Sequence, residues 1–481
     1  MTQHFKQLIF LAFFFSISQF SYALPTIVKG KVVQGNGMAI RASTSSDRLS
    51  FREIILDKCV IETNETFQLQ FEINDIQEVF IKIGNQSFSF FAEAGKNYQL
   101  QIDQIEKPPK SALSEQQPLQ IVWSNKNALN EAIDNFNFTM SSFLEEHFIE
   151  IYKYRDTKLL QSFENTLAEK LNNTSTLNSE EKVFFENLIV YQLADLKKVS
   201  RTLSDFKLGE TYLKNEEVLY NHPSYMSFFA HYFNHYFVSG KRNTDYNDCI
   251  HLIQSGANIS KLMEYLGKDP ILEQQDLREM VLLQALKEVY YSTDFNSDQI
   301  DRLINEIKTT SKFPEHQKIA ANILNQLTSL KVGAIAPEIK LRSDKGIMKS
   351  LANYKGSYVY LVFMSENCPA CESDLAIIEK LQEKYKSDIA IVEIFVNYTP
   401  DGLGKNTNRK DTNWERLLFN NDFDLLNNYQ IRTFPYYFLL NREAKILLNP
   451  AKKPNENIDH YFDFLIKRDK EKAQKSNVLF R

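Results

Sequence analysis

The chain has 481 residues, 43% of them hydrophobic and 24% charged, with a formal net charge of -5. That length sets a prior of about three domains, and the composition supplies apolar mass for several cores, which excludes a disordered or membrane-embedded chain. The mildly acidic balance, with no long basic block, excludes nucleic acid and anionic membrane as partners. Glycine is scarce at 14 residues, about 3% where roughly 7% is usual, which disfavours a wholly turn-rich β architecture and predicts a helical portion.

Residues 1–23 read as a secretory signal: Lys6, the apolar block Leu8 to Phe15, then Ser21-Tyr22-Ala23 with small residues where a signal peptidase reads. The apolar run breaks at Ser16, Ser18 and Gln19, too short to cross roughly 30 Å of hydrocarbon. The next cysteine is Cys59, so a lipid anchor at the first mature residue is not supported. The expectation is a periplasmic or otherwise extracytoplasmic protein, soluble after signal cleavage.

Residues 24–108 alternate at period two, with Phe67, Leu69, Phe71 and Ile73, then Val79, Ile81 and Ile83, then Tyr98, Leu100 and Ile102. These are half-buried strands. Gly35-Asn36-Gly37, Gly84-Asn85 and Gly95-Lys96-Asn97 supply turns at hairpin spacing. The reading is an N-terminal antiparallel β-sandwich.

Past Lys107-Pro108-Pro109-Lys110 the period becomes helical, and residues 109–330 read as an all-α region of about eight to ten helices with no strand. Asn296 with Gln299 opens one helix, whose apolar face is Ile300, Leu303, Ile304 and Ile307. Asp269-Pro270 is expected to cap a second, carrying Leu277, Val281, Ala285 and Val289. Asn178 with Glu181 opens a third. His231 and His235 stand four apart on an expected helix Tyr225 to Phe237, a spacing that can bind a metal. Tyr232 replaces the glutamate of a zinc-protease motif, however, and the surrounding Phe228, Phe229, Phe233, Tyr236 and Phe237 favour an aromatic core helix.

Residues 331–481 turn to alternating strand and helix. Tyr358 to Met364 is a continuous apolar run expected of a strand buried on both faces. Ile389 to Val396 and Tyr436 to Leu440 are two more, and a helix starting near Cys371 carries Ile378, Leu381 and Tyr385. A mixed sheet with helices on both sides follows.

Of four cysteines, Cys59, Cys249, Cys368 and Cys371, only the last two are close, so the chain is no disulfide-stapled scaffold. A pair three apart, just after a buried strand and at a helix start, sits where unsatisfied N–H groups and the helix dipole favour a thiolate. Cys368 at the helix mouth is then the attacking sulfur and Cys371, one turn in, the resolving one. Pro369 suits the first turn. A zinc site lacks a second close pair, and a static disulfide over so short a loop stabilises little. Glu366 and Glu372 flank the pair and oppose the thiolate, which tilts the expectation toward a reductase. Cys59 and Cys249 read as buried, unreactive thiols.

At these residues the chain resembles a known family. Tyr358 to Cys371, with Gly333, Ala336-Pro337 and Lys355-Gly356 upstream, resembles the thioredoxin-like domain of the TlpA/ResA group of exported thiol-disulfide oxidoreductases. Ile431-Arg432-Thr433-Phe434-Pro435-Tyr436 and Asn441-Arg442-Glu443-Ala444 continue the likeness, and Asn397 to Asn413 looks like the group's insertion. The resemblance implies a cis-proline at Pro435 that shapes a substrate groove, with the Phe434 backbone pairing with the incoming chain. Departures are Asn367 and Met364 in place of tryptophans, Val362 where thioredoxins bury an aspartate, and Asp374 and Ala376 where the group has glutamate and proline. With Val362 apolar, proton transfer to Cys371 must use another group or water.

The expected fold is thus multidomain α+β: a signal peptide, a β-sandwich, a helical region and a thioredoxin-like α/β domain. The expected function is reduction of protein disulfides through Cys368 and Cys371, with no cofactor beyond that redox-active disulfide. Protein thiols and disulfides are the expected substrates and a membrane electron donor the expected partner, with a homodimer left open. Two rivals stand beside it. A thiol peroxidase would need proline at Leu361 in the P-x-x-x-[ST]-x-x-C signature, of which only Ser365 matches. An envelope binding or assembly module would use the dithiol merely to sense redox state.

Overall fold

The computed structural model describes residues 24–84, 86–104, 117–125, 127–172, 176–239, 245–366, 368–396 and 412–479. The expected signal segment 1–23, the stretch Lys107 to Lys110 and most of the expected insertion lie outside the described residues.

Among the described residues nine strands come first: β1 (Thr26–Val32), β2 (Ala39–Ser45), β3 (Glu53–Val60), β4 (Thr66–Phe71), β5 (Gln77–Ile83), β6 (Gln86–Ala92), β7 (Asn97–Gln104), β8 (Gln117–Pro118) and β9 (Gln120–Asn125). They form two sheets, ordered β4-β1-β7-β9 and β3-β2-β5-β6-β8. The alternating residues of β4, β5 and β7 enter one core with Val28, Ile40, Ala42 and Phe90, so both sheets bury the same apolar set.

Two expectations are corrected here. The sheets are not purely antiparallel: β1 pairs with β7 in parallel from Ile27↔Asn97 to Val32↔Ile102, and β6 pairs with β8 in parallel. The chain runs through the other sheet between β1 and β7, so β7 returns by a crossover. Alternation dictates which face is buried, not which way a neighbour runs. At Gly30 the two strands come so close that a Cβ would lie 1.8 Å from the Leu100 carbonyl oxygen. Strand structure also continues past residue 108, because Leu119, Ile121 and Trp123 still alternate into the core and Trp123 meets Phe88, Phe90 and Tyr98 edge-on.

Eleven helices follow among the described residues: α1 (Ala128–Glu146), α2 (Phe148–Tyr152), α3 (Thr157–Asn172), α4 (Ser179–Ser200), α5 (Asp205–Tyr212), α6 (Pro223–Tyr232), α7 (Tyr246–Gln254), α8 (Ile259–Leu266), α9 (Gln275–Val289), α10 (Ser297–Thr310) and α11 (Pro314–Thr328). Asn178 makes a full capping box with Glu181, and the Asn296 side chain accepts from the N–H groups of Asp298 and Gln299. Asp269 does not cap a helix. α9 begins six residues later, and the buried Asp269 carboxylate instead accepts from the Ile271 N–H and the Tyr236 hydroxyl. Proline after an aspartate marks a turn as readily as a helix start.

Side chains fasten the helices to the sheets. The Asn130 amide both accepts from and donates to the Phe91 backbone of β6. The Asp47 carboxylate accepts from its own loop and from Asn322 of α11, and Lys287 of α9 donates to the Leu49 carbonyl. Leu49 itself lies in the helical core.

The last region carries β10 (Lys340–Ser343), β11 (Met348–Ser350), β12 (Tyr358–Ser365), α12 (Pro369–Tyr385), β13 (Ile389–Val396), β14 (Glu415–Leu418), α13 (Phe423–Asn428), β15 (Tyr436–Leu440), β16 (Ile446–Leu448) and α14 (Ile458–Leu479). They build one mixed sheet ordered β11-β10-β14-β13-β12-β15-β16. β12 lies parallel to β13 and antiparallel to β15 and is buried on both faces. Tyr358, Tyr360, Val362 and Met364 meet α12 and α14 on one side. Val359, Leu361 and Phe363 meet α13 residues and Ile339 on the other. No described helix is long and apolar enough to cross a membrane.

Candidate active site

β12 leaves the sheet at Ser365, and the chain enters α12 with Cys368 as its N-cap and Pro369 in the first turn. The proline's missing N–H is one that no helix would satisfy there. The Cys371 backbone N–H points at the Cys368 sulfur, 3.1 Å away, so an unpaired helix-terminal donor is aimed at the atom that would carry thiolate charge. The two cysteines are joined as a disulfide with Cα atoms 5.2 Å apart. Cys368 is half-buried and Cys371 fully buried, the division of access expected from the sequence. Glu366 and Glu372 are both exposed, so water and salt screen their opposition to a thiolate.

The other two expected site residues adjoin this loop. Phe434–Pro435 is a cis peptide, and Tyr436 pairs with Phe363, which places Pro435 at the end of β12 from which the cysteine loop departs. Phe434 and Cys368 both flank the apolar cluster under α12. The Tyr436 hydroxyl donates to the Asn449 side-chain oxygen at 3.0 Å.

Sequence reasoning passed over a polar row on the α12 side of the sheet. Val362 is apolar as noted, and its cross-strand neighbours are Glu393 and Tyr437. Glu393 accepts from Trp414 Nε1 at 2.9 Å and Arg416 Nε at 3.0 Å, with Glu393 and Arg416 each 1% exposed. Tyr437 donates to the buried Asp374 carboxylate at 2.6 Å. A tyrosine at an inward strand position two residues after a proline was the available signal, since a buried phenol needs a partner.

The remaining candidates fall elsewhere. α6 stops at Tyr232, and His235 lies beyond it at φ +56°, so His231 and His235 do not share a helical face. His231 pairs with Asp195 at 2.9 Å, and the neighbouring aromatics are buried core. Among the described residues no three His, Cys, Asp or Glu side chains group as a metal site. Cys249 is buried, and burial pushes its thiol up to about 12. Cys59 is only half-buried, and desolvation raises its thiol as well.

Residues 332–448 match the AhpC/TSA family model. The chain is 26% identical over 129 residues to the thiol-disulfide oxidoreductase ResA of Geobacillus thermodenitrificans, covering 27% of this chain and 74% of that protein. It is 27% identical over 120 residues to the thioredoxin-like protein YneN of Bacillus subtilis, covering 24% and 69%. A crystal structure of the thioredoxin domain of a thiol-disulfide oxidoreductase from Bacteroides vulgatus aligns at 25% identity and a TM-score of 0.26, over 28% of this chain and 99% of that one.

Proposed function

We propose, from the premise that the C-terminal region is a TlpA/ResA-like thiol-disulfide oxidoreductase domain, that this protein is exported and reduces disulfides of protein substrates through Cys368 and Cys371. The observation that carries the reading is the helix-terminal N–H aimed at a half-exposed Cys368 sulfur, with Cys371 buried one turn behind it.

In the reductive direction the Cys368 thiolate attacks one sulfur of the substrate disulfide and expels the other as a thiolate. Cys371 then loses its proton to Asp374, the buried carboxylate one turn along α12, and attacks the Cys368 sulfur. The substrate leaves with both sulfurs reduced, and the two electrons it gained leave an enzyme disulfide behind. A dithiol donor, by family likeness in the membrane, returns those electrons. Phe434 and Pro435 border the groove that takes the substrate chain. The sandwich and the helical region before it select clients or join two copies.

The reduction potential of the Cys368/Cys371 couple tests the direction. A value near thioredoxin's roughly -270 mV supports a reductase, and one near DsbA's roughly -120 mV overturns that assignment in favour of an oxidase. A thiol peroxidase is the second reading, favoured by the AhpC/TSA match alone. Leu361 occupies the proline position of its signature, and peroxide consumption by the purified protein would restore it.

A further inference from the structure

We infer that Tyr437 is a positioning residue of the dithiol reaction, holding the Asp374 carboxylate for Cys371; this rests on the disulfide-exchange reading above. Two carboxylates are buried on the α12 side of the sheet among the described residues, Glu393 and Asp374. The first is committed, since one of its oxygens takes both the Trp414 indole N–H and the Arg416 guanidinium, and its charge is balanced. Asp374 has a neutral phenol instead.

A buried carboxylate needs hydrogen-bond donors to hold it. The Tyr437 hydroxyl is such a donor, and it is rigidly placed. Its ring is buried on β15 and stacks on Tyr360, with ring centres 5.5 Å apart and planes 11° from parallel. Tyr360 is pinned in turn by its hydroxyl on the Lys452 carbonyl. Val362, directly across from Tyr437, offers no polar atom, so the phenol reaches past it to the helix. Cys371 belongs to the same packed cluster as Tyr437 and Tyr360 and sits one turn from Asp374. Asp374 acts on the phenols of Tyr437 on β15 and Tyr360 on β12, and Glu456 in the short turn Pro454–Glu456 acts on the same two, with Cys371 one turn back on α12. The compensated pair Glu393–Arg416 lies on the same side of the sheet. Only Tyr437 donates to Asp374 in the bonds described. Its hydroxyl is the bond that fixes the carboxylate in place to take the Cys371 proton.

Tyr437→Phe keeps the ring and deletes one oxygen. In the full-length protein, the rate at which Cys371 resolves a Cys368 mixed disulfide would be followed against pH, alongside urea unfolding. Losing the hydrogen bond that places the carboxylate slows resolution roughly tenfold. Asp374→Asn slows resolution at least as much, and adding Tyr437→Phe to it changes the rate no further. The inference is overturned if the Tyr437→Phe profile superimposes on that of the unsubstituted protein. A loss that tracks the loss of stability in urea, or one that adds to that of Asp374→Asn, overturns it too. If the unsubstituted protein and Cys368→Ser are equally inert toward disulfides, the disulfide-exchange reading itself has failed.

Discussion

Arg41 on β2 and Asp424 on α13 are 383 residues apart in sequence, yet their side chains meet through two hydrogen bonds. Nη2 donates to Oδ1 at 2.7 Å, and Nη1 donates to Oδ2. The contact fastens the first sheet pair to the C-terminal domain, on the segment that leads through Tyr429 to Pro435. Glu53 and the half-buried Asp422 add to the negative field around the guanidinium, and Phe423 packs over Gly84.

Arg41→Ala leaves Asp424 and Asp422 without their cation, while Glu53 keeps Lys82. Two-pronged arginine–carboxylate bonds are among the stronger polar contacts, and this pair is partly exposed, so the expected loss is about 1–2 kcal/mol. Faster hydrogen exchange in residues 415–430, with the exchange chemistry of the dithiol intact, is the expected observation. Unchanged exchange there would mean the contact does not fasten the two regions.

Glu93 follows β6 and lies buried beside Glu181 of α4, where burial first and the neighbouring carboxylate second push it up to about 7. A raised carboxyl binds its proton more tightly when folded, so its contribution is complete below the usual glutamate range and is lost as pH climbs from there through about 7. Thermal stability should fall across that window. Glu93→Gln keeps the shape and should flatten the fall between about pH 5 and 8, read as Tm against pH.

Arg416 and Glu393 form an ion pair almost wholly out of water. Arg416→Met strands a buried carboxylate and should cost about 3–5 kcal/mol in urea unfolding, whereas Arg416→Met combined with Glu393→Leu recovers most of it. A double variant as unstable as the single would show that geometry, not charge, is at stake.

Cys371→Ser removes the resolving sulfur and should accumulate a stable mixed disulfide on Cys368, seen as a mass increase by non-reducing electrophoresis. Cys368→Ser should form none. Adducts on Cys371 instead would reverse the assigned order of attack.

The site's sulfur chemistry was legible because it is local. A buried strand, a Cys-Pro-Ala-Cys turn and a helix lie within 30 residues of one another, and each has its own pattern. The phenol that meets Asp374 was not, because 63 residues separate the two and only the sheet brings them together. Likewise the alternation of Tyr98, Leu100 and Ile102 in β7 showed which side chains go inward while leaving its parallel pairing with β1 open. His235 misled for a related reason: the aromatic run continues past Tyr232, but the helix ends there, and three residues on the backbone at His235 is left-handed. Asp269-Pro270 fits a turn and a helix start equally well, and the Tyr236 hydroxyl decided between them.

The parallel neighbours of β1 also bear on how this protein is made. Thr26–Val32 needs both Thr66–Phe71 and Asn97–Gln104 beside it. The strand that reaches the ribosome exit first therefore waits for the last of its partners, a delay of roughly 4–14 s at ordinary elongation rates. Until then the backbone donors and acceptors on its β7 edge stay open to any passing chain.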